Sequence, residues 1–119
     1  MSRTRALVVV GVLVVFVAAS GVIISAVSQK GGQARTFDVT VTHAAAMSPD
    51  TLRANQNDTI TINVHSDTSG EVHLHVYDIA FDAVAGQVVS KTFKADKTCS
   101  CDIEWESTSH PLGVLVVSP

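Results

Sequence analysis

The chain has 119 residues, of which 46% are hydrophobic and 16% charged. All 11 acidic residues lie after residue 30, together with five of the eight basic residues. Residues 31–119 therefore carry a formal charge of −6. At about 90 residues it is long enough for one domain with a modest core and too short for a second. Its acidity excludes nucleic acid as a partner, because phosphate binding needs clustered Lys and Arg. Its size argues against a large enzyme with a deep cleft.

Residues 6–27 form an apolar run without a charged side chain. At about 1.5 Å per residue, a helix of this length matches the roughly 30 Å of a hydrocarbon core. In lipid every backbone polar group must bond internally, so the run predicts one N-terminal transmembrane helix although β-branched residues dominate it. Arg3 and Arg5 outweigh Lys30 on the other side, so we expect the N-terminus in the cytoplasm and the domain outside, at the cell membrane.

A cleaved signal peptide is the alternative to an anchor, since Ala26 and Ser28 are small residues in the positions that signal peptidase requires. The apolar run is longer than the roughly 7–15 residues of a secretory signal, which favours the anchor. In both cases the domain is extracytoplasmic. We therefore divide the chain into an anchor with a short flank at 1–30, a linker at 31–36 and a domain at 37–119.

The domain consists of short segments in which apolar and polar residues alternate. This period of two is typical of strands with one buried face. Between these segments lie turn-forming residues, and no stretch of helical period reaches three turns. Short strands at such spacing predict an antiparallel sandwich or barrel. The predicted strands are 37–41, 59–65, 71–77, 88–94, 101–106 and 112–117.

Four motifs follow one another along the domain. They are Met47-Ser48-Pro49-Asp50-Thr51-Leu52 with Asn57-Asp58-Thr59-Ile60-Thr61-Ile62, then His73-Leu74-His75-Val76-Tyr77-Asp78, Thr92-Phe93-Lys94-Ala95-Asp96-Lys97 and His110-Pro111-Leu112-Gly113-Val114-Leu115-Val116-Val117. In this order the motifs resemble the cupredoxins over residues 36–118. The motif at residues 73–78 is most like the bacterial extracytoplasmic domains grouped with the iron-transport protein EfeO. The resemblance implies an all-β, cupredoxin-like Greek-key β-sandwich after the transmembrane helix, with its first strand parallel to the strand 59–65.

The sequence departs from the family at the metal ligands. A blue-copper centre needs a Cys thiolate, two His and usually a weak axial Met. Trp105 stands where the resemblance places that Cys, and Pro111 falls near the position of the axial Met. We therefore expect neither a blue-copper centre nor the fast electron transfer that it supports.

Three histidines form the predicted metal site: His73, His75 and His110. His73 and His75 are two residues apart in a strand, so both project to one face, and the resemblance places His110 in the last loop. Imidazoles that converge at one end of the sandwich suit Cu(II), Zn(II) or Fe, and Asp67, Glu71 or Asp78 offers a carboxylate. The competing interpretation is that these are ordinary solvated side chains, which is how we interpret His43 and His65.

Cys99 and Cys101 begin a predicted strand in an oxidising compartment, where free thiol pairs rarely persist. A disulfide between them would be strained and comparatively reducible. Free or partner-linked thiols and a soft metal site remain alternatives. A rise of about 3.3 Å per residue along the strand puts Cys101 roughly 17 Å from the end where the histidines are expected, so the two sites should be separate.

Together these features predict a membrane-anchored extracytoplasmic protein that binds a transition metal, copper first, for metal handling or sensing. No nucleophile–base pair or paired carboxylates are evident, so we do not expect an enzyme. Two alternatives remain. One is a metal-free accessory or interaction subunit of a membrane complex, and the other is a redox-active C-x-C module.

Overall fold

The computed structural model describes residues 32–119 as two β-sheets that share one core. Within this range a single 3-10 turn, Glu106–Thr108, accompanies nine strands: β1 Ala34–Thr42, β2 Ala46–Ser48, β3 Thr51–Asn55, β4 Thr59–Ser66, β5 Gly70–Leu74, β6 Ile79–Ala83, β7 Val88–Lys94, β8 Cys99–Trp105 and β9 His110–Ser118. None of the described residues forms a helix that could cross a membrane. The predicted anchor lies outside them, and β1 takes in residues 34–36 of the predicted linker.

The strands form a five-stranded sheet in the order β3-β9-β8-β5-β6 and a four-stranded sheet in the order β2-β1-β4-β7. Most neighbours are antiparallel, as the sequence predicted. β1 runs parallel to β4, which confirms the expectation from the family resemblance, and β9 runs parallel to β3. The all-β class is therefore confirmed for the described residues.

Alternation of side chains builds the core between the two sheets. In β4, Ile60, Ile62 and Val64 are at most 2% exposed, while the residues between them face outward. In β8, Ile103 and Trp105 are 4% exposed. A strand sends successive side chains to opposite faces, so one buried face requires this period of two.

The structure differs from the predicted strands in two respects. The three short strands β2, β3 and β6 were not predicted, because segments of three to five residues hold too few alternations to show a period. The predicted strand 71–77 ends at Leu74. The chain turns over residues 75–78, where Val76 and Asp78 have φ angles of 75° and 53°.

The loops gather at the two ends of the sandwich. One end, here called the Trp105 end, contains the loops 43–45, 67–69, 84–87 and 106–109. At this end the His110 ring forms a hydrogen bond with the Ala45 carbonyl, which joins the two sheets. At the other, the Asp58 end, lie the loops 56–58, 75–78 and 95–98. There the Tyr77 hydroxyl donates to the Lys97 carbonyl at 2.5 Å. This division determines which side chains can meet.

Candidate functional site

Strand β5 places two histidines on the outer face of the five-stranded sheet. Val72 and Leu74 are buried in the core, so His73 between them projects outward. His75 follows the strand, and its backbone N–H donates to the Asp102 carbonyl at 2.9 Å, which holds it beside β8. The two imidazole centroids are 4.6 Å apart in an edge-to-face arrangement. The predicted pair therefore shares one face.

Carboxylates surround the His73 ring. Its Nε2 lies 2.7 Å from Asp78 Oδ1, and its Nδ1, which has no hydrogen-bond partner, lies 3.6 Å from Glu106 Oε1. The hydrogen bond to Asp78 raises the pKa of His73 above its usual value of 6.5, partial burial opposes this, and the charges of Glu106, Asp78 and Glu71 add to the rise. The site therefore favours a cation at His73.

His75 has a carboxylate of its own. Its Nε2 lies 2.6 Å from Glu104 Oε2, a side chain that extends from the neighbouring strand β8. We name the five residues together the histidine–carboxylate face: His73, His75, Asp78, Glu104 and Glu106. Imidazole and carboxylate are ligands that divalent transition metals accept. As the side chains stand, however, no three His, Cys, Asp or Glu within residues 32–119 are arranged to hold a metal ion.

His110 lies apart from this pair. It opens β9 directly opposite Trp105, whose side chain points into the core, so His110 faces the interior side of the sheet at the Trp105 end. Its Nε2 lies 2.9 Å from the Ala45 carbonyl oxygen. Of the three histidines in the predicted site, the structure thus brings His73 and His75 together and leaves His110 on the other side.

The remaining histidines are also dispersed. The His43 backbone N–H donates to Asp67 Oδ1 at 2.8 Å, and this bond is the main reason why the pKa of Asp67 is lowered. The His43 ring is 84% exposed. His65 lies on the outer face of the four-stranded sheet between the buried Val64 and Ser66. The expectation that the histidines form one group is therefore corrected. His43, His65 and His110 do lie at or near the Trp105 end, but the exposed His43 ring is in a loop, His65 is on the outer face of one sheet and His110 is on the interior side of the other.

The residues at the Trp105 end do not fit a blue-copper centre. The Trp105 indole is 4% exposed and packs against Gly70 so closely that a Cβ on Gly70 would lie 2.9 Å from its Cη2 atom. A buried indole therefore stands at the position that the family resemblance assigns to the Cys ligand. Both cysteines of the chain are joined to each other in a disulfide, so neither supplies that thiolate.

Cys99 and Cys101 form a disulfide, which resolves the alternatives that the sequence left open. Cys101 lies next to Asp102, whose carbonyl accepts the His75 N–H, so the predicted separation of roughly 17 Å from the histidines does not apply to His75. That prediction assumed histidines at the end of the sandwich, whereas His75 lies beside Asp102 in the middle of β8. Cys101 points into the core and the His75 ring bonds Glu104 outside, so the two sites remain separate.

Glu104 and Glu106 are parts of the site that the sequence did not reveal. The alternation of β8 indicates that Glu104 faces outward, but only the register of β8 against β5 places it opposite His73. Glu106 lies in the 3-10 turn after β8, which the sequence treated as the end of a strand. Asp78 was among the candidate carboxylates and does contact His73.

No protein-family model matches the sequence, and no curated protein is similar to it. Solved structures match its fold. A chain of a heme-copper terminal oxidase dimer aligns with a TM-score of 0.60 and 16% identity over 79% of this chain and 76% of that one. A copper binding protein in the apo form aligns with a TM-score of 0.59 and 10% identity, over 76% of this chain and 92% of that one. Auracyanin B aligns with a TM-score of 0.54 and 12% identity, over 78% of this chain and 94% of that one.

Two longer oxidases also match, with TM-scores of 0.51 and 0.53: the multicopper oxidase mgLAC and the blue copper oxidase from Nitrosomonas europaea. This chain spans 39% of the length of each. These likenesses show that the described residues have a cupredoxin-like fold. They do not test the finer grouping with the EfeO-type domains, which stays a prediction.

Proposed function

We propose that this cupredoxin-like domain is a non-catalytic, membrane-anchored extracytoplasmic protein that binds a transition metal ion, copper first, for metal handling or sensing. The observation that carries the proposal is the His73–His75 pair, whose rings lie 4.6 Å apart on the outer face of the sheet beside carboxylates. The copper proteins among the structures with this fold support copper as the first metal to test.

The proposed ligands are the ring nitrogens of His73 and His75, with carboxylate oxygens from Asp78, Glu104 or Glu106. Nitrogen and oxygen donors of this kind suit Cu(II) and bind it more tightly than the other divalent metals of the first row. In the metal-free protein these donors bond one another. A metal ion replaces those hydrogen bonds, so its binding competes with the histidine–carboxylate contacts.

The surrounding charge also favours a cation. Glu71, Asp82 and Asp102 lie on the same outer face, with Glu71 directly opposite Asp82 across β5 and β6. Like charges placed opposite each other destabilise a sheet. A divalent cation relieves this repulsion when it binds nearby. The negative face thus raises the local cation concentration before any ligand bond forms.

Titration of the full-length protein with Cu(II) in detergent, followed by calorimetry, tests the proposal. We expect one site at pH 7.5, weakened at least tenfold in both His73→Ala and His75→Ala. His65→Ala is the matched control, because that exposed ring lies on the other sheet, and it should bind as the wild type does. His110→Ala should also bind normally. Loss of binding in His110→Ala would support the site of three histidines that the sequence predicted. Equal binding by all variants would overturn the proposal.

The absorption spectrum of the copper-loaded protein provides a second check. Because Trp105 stands in place of a thiolate ligand, the Cu(II) complex should lack the intense band of a blue-copper centre. A deep blue sample would mean that a cysteine binds the metal, in contradiction to the disulfide between Cys99 and Cys101.

A second candidate is a metal-free accessory module of a membrane complex. The packing of Trp105 against Gly70 favours it, because the end of the sandwich where blue-copper proteins hold their metal is filled with side chains here. Metal analysis of the protein purified without chelator or affinity tag distinguishes the two. Absence of bound metal, together with no shift of the melting temperature in Cu(II), would favour the accessory role.

A further inference from the structure

The Cys99–Cys101 disulfide is a reactive group that the proposed metal site does not use. It joins residues two positions apart at the start of β8, with their Cα atoms 5.3 Å apart. Two residues of an extended strand span about 6.6 Å. The Cα separation across the bridge is therefore shorter than the ordinary rise of a strand.

The bridge is poorly placed to act as a structural staple. A disulfide stabilises a protein mainly by closing a long loop in the unfolded chain, and this one encloses Ser100 alone. The strand has another support here, because Cys99 lies opposite Val117 and Cys101 opposite Leu115 in the ladder with β9. Stability alone gives little reason for this disulfide.

The two cysteines differ in burial, although the Cys99 side chain also packs against the core. Cys99 is half-buried and follows the loop 95–98, in which residues 96–98 are exposed at the Asp58 end. Cys101 is wholly buried among the core side chains. Thiol–disulfide exchange begins when an external thiolate reaches one sulfur of the bridge. Of the two cysteines, the partly exposed Cys99 is therefore the better placed for attack by a partner thiolate.

We infer that the Cys99–Cys101 disulfide is a thiol–disulfide exchange centre that oxidises the dithiol of a partner protein, with Cys99 as the sulfur that is attacked. This inference is independent of the proposed metal site, which lies on the other face of β8.

The reaction conserves atoms and electrons. One partner thiolate attacks Cys99 Sγ, and the bond between the two cysteines breaks with its electron pair going to Cys101, which takes up a proton. The second partner thiolate then attacks the partner sulfur of the mixed disulfide and displaces Cys99, which is protonated in turn. The partner gains a disulfide and loses two electrons and two protons, and this protein gains two thiols.

The core can accommodate the reduced product. A neutral cysteine behaves as a small apolar side chain, so a Cys101 thiol remains compatible with a position that is 0% exposed. A stable reduced form makes the disulfide a better oxidant, because a couple is more oxidising when its reduced state is more stable.

The redox equilibrium of the wild-type, full-length protein tests the inference. The protein is incubated in graded mixtures of reduced and oxidised glutathione, its thiols are alkylated, and its mass is measured; Cys99 and Cys101 are the only cysteines of the sequence. We expect substantial reduction within the range of glutathione buffers, with the fluorescence of Trp105 unchanged. A structural disulfide resists the glutathione pool, so a protein that stays fully oxidised would overturn the proposal.

Single-cysteine variants test the direction of attack. Cys101→Ser leaves the accessible Cys99, and Cys99→Ser leaves the buried Cys101. Because exchange requires access, Cys101→Ser should form a mixed disulfide with oxidised glutathione at least tenfold faster than Cys99→Ser. Equal rates would contradict the assignment of Cys99. If either variant fails to fold, the equilibrium of the wild type still decides whether the disulfide exchanges.

Discussion

Arg35 donates a hydrogen bond from its Nε to the carboxylate of Asp58, and this carboxylate is wholly buried. The same carboxylate accepts the backbone N–H groups of Asn55 at 2.8 Å and Gln33 at 3.0 Å. It therefore joins the beginning of β1 to the turn between β3 and β4. Burial raises the pKa of Asp58, but the bonds from Asn55, Arg35 and Gln33 outweigh it, so the pKa is lower than the usual 3.8.

Replacement of Asp58 by Ala should destabilise the protein by about 3–5 kcal/mol, because it removes the buried partner of an ion pair and the acceptor of three N–H hydrogen bonds. Denaturant unfolding followed by the fluorescence of Trp105, the single Trp of the chain, measures this loss. Asp96→Ala is the control, since that carboxylate is 59% exposed, and it should cost no more than about 0.5 kcal/mol. A similar loss in both variants would contradict the role of Asp58.

The ionisation of Asp58 should also affect how the stability of the protein depends on pH. Because the pKa of Asp58 is lower in the folded protein, its ionised form contributes stability at pH values above the ordinary 3.8, and this contribution is lost as the pH falls through the folded value. We expect the wild type to lose stability below about pH 4. Asp58→Asn, which cannot ionise, should show a shallower acid dependence. Parallel curves for the two proteins would contradict this prediction.

The alternating pattern of the sequence predicted the longer strands, and the family resemblance implied the parallel pairing of β1 with β4. The sequence could not predict the buried role of Asp58. A carboxylate in the turn-forming stretch 55–58 has the composition of a solvated turn, and only the approach of Arg35 and Gln33 from β1 makes its burial favourable. A partner 23 residues away in the sequence leaves no local pattern.

The same limit explains the outcome for the candidate site. The spacing of His73 and His75 places both on one face because strand geometry is local. His110 depends on which face of the sheet β9 presents at its start, and this follows from its register with Trp105. Pairing registers arise from many side-chain contacts at once, so a single sequence does not specify them.

Gly70 should tolerate no side chain. A Cβ at this position would overlap the Trp105 indole, so Gly70→Ala should cost about 1–3 kcal/mol, as overpacked cores do. A chemical denaturation curve measured by circular dichroism gives the loss. In a Trp105→Leu background the smaller side chain leaves room, and the cost of Gly70→Ala should fall by more than about 0.5 kcal/mol, the usual limit for independent sites. If the losses of stability in the two single variants simply add in the double variant, the two residues are not in steric contact.

The raised pKa of His73 should also be visible in the pH dependence of the stability of the metal-free protein. Its protonated form is favoured in the folded state, so its stabilising effect is fully present below the unfolded value of 6.5 and is lost as the pH rises through the folded value. His73→Ala should therefore lose more stability at pH 5.5 than at pH 8.5, by about 0.5–1 kcal/mol. Asp78→Asn should reduce this difference, because it removes the carboxylate that bonds the His73 ring.

The orientation of the chain across the membrane is open to a direct test. The basic residues on the N-terminal side of the apolar run predict that the domain lies outside the cytoplasm. A reporter that is active only in the cytoplasm, fused after Pro119, should therefore be silent, whereas one that requires export should be active. Strong cytoplasmic activity would overturn the proposed location.

The parallel pairing of β1 with β4 also has a mechanical consequence. β1 is hydrogen-bonded on both sides, to β2 and to β4, and its pairing with β4 extends from Ala34 to Val41. A pull applied to the start of β1 along its own axis would load these backbone bonds in shear and all at once. Unzipping would break them one after another at much lower force. The Arg35–Asp58 contact lies at the point where such a force enters the domain, so this fold resists traction from its N-terminal side.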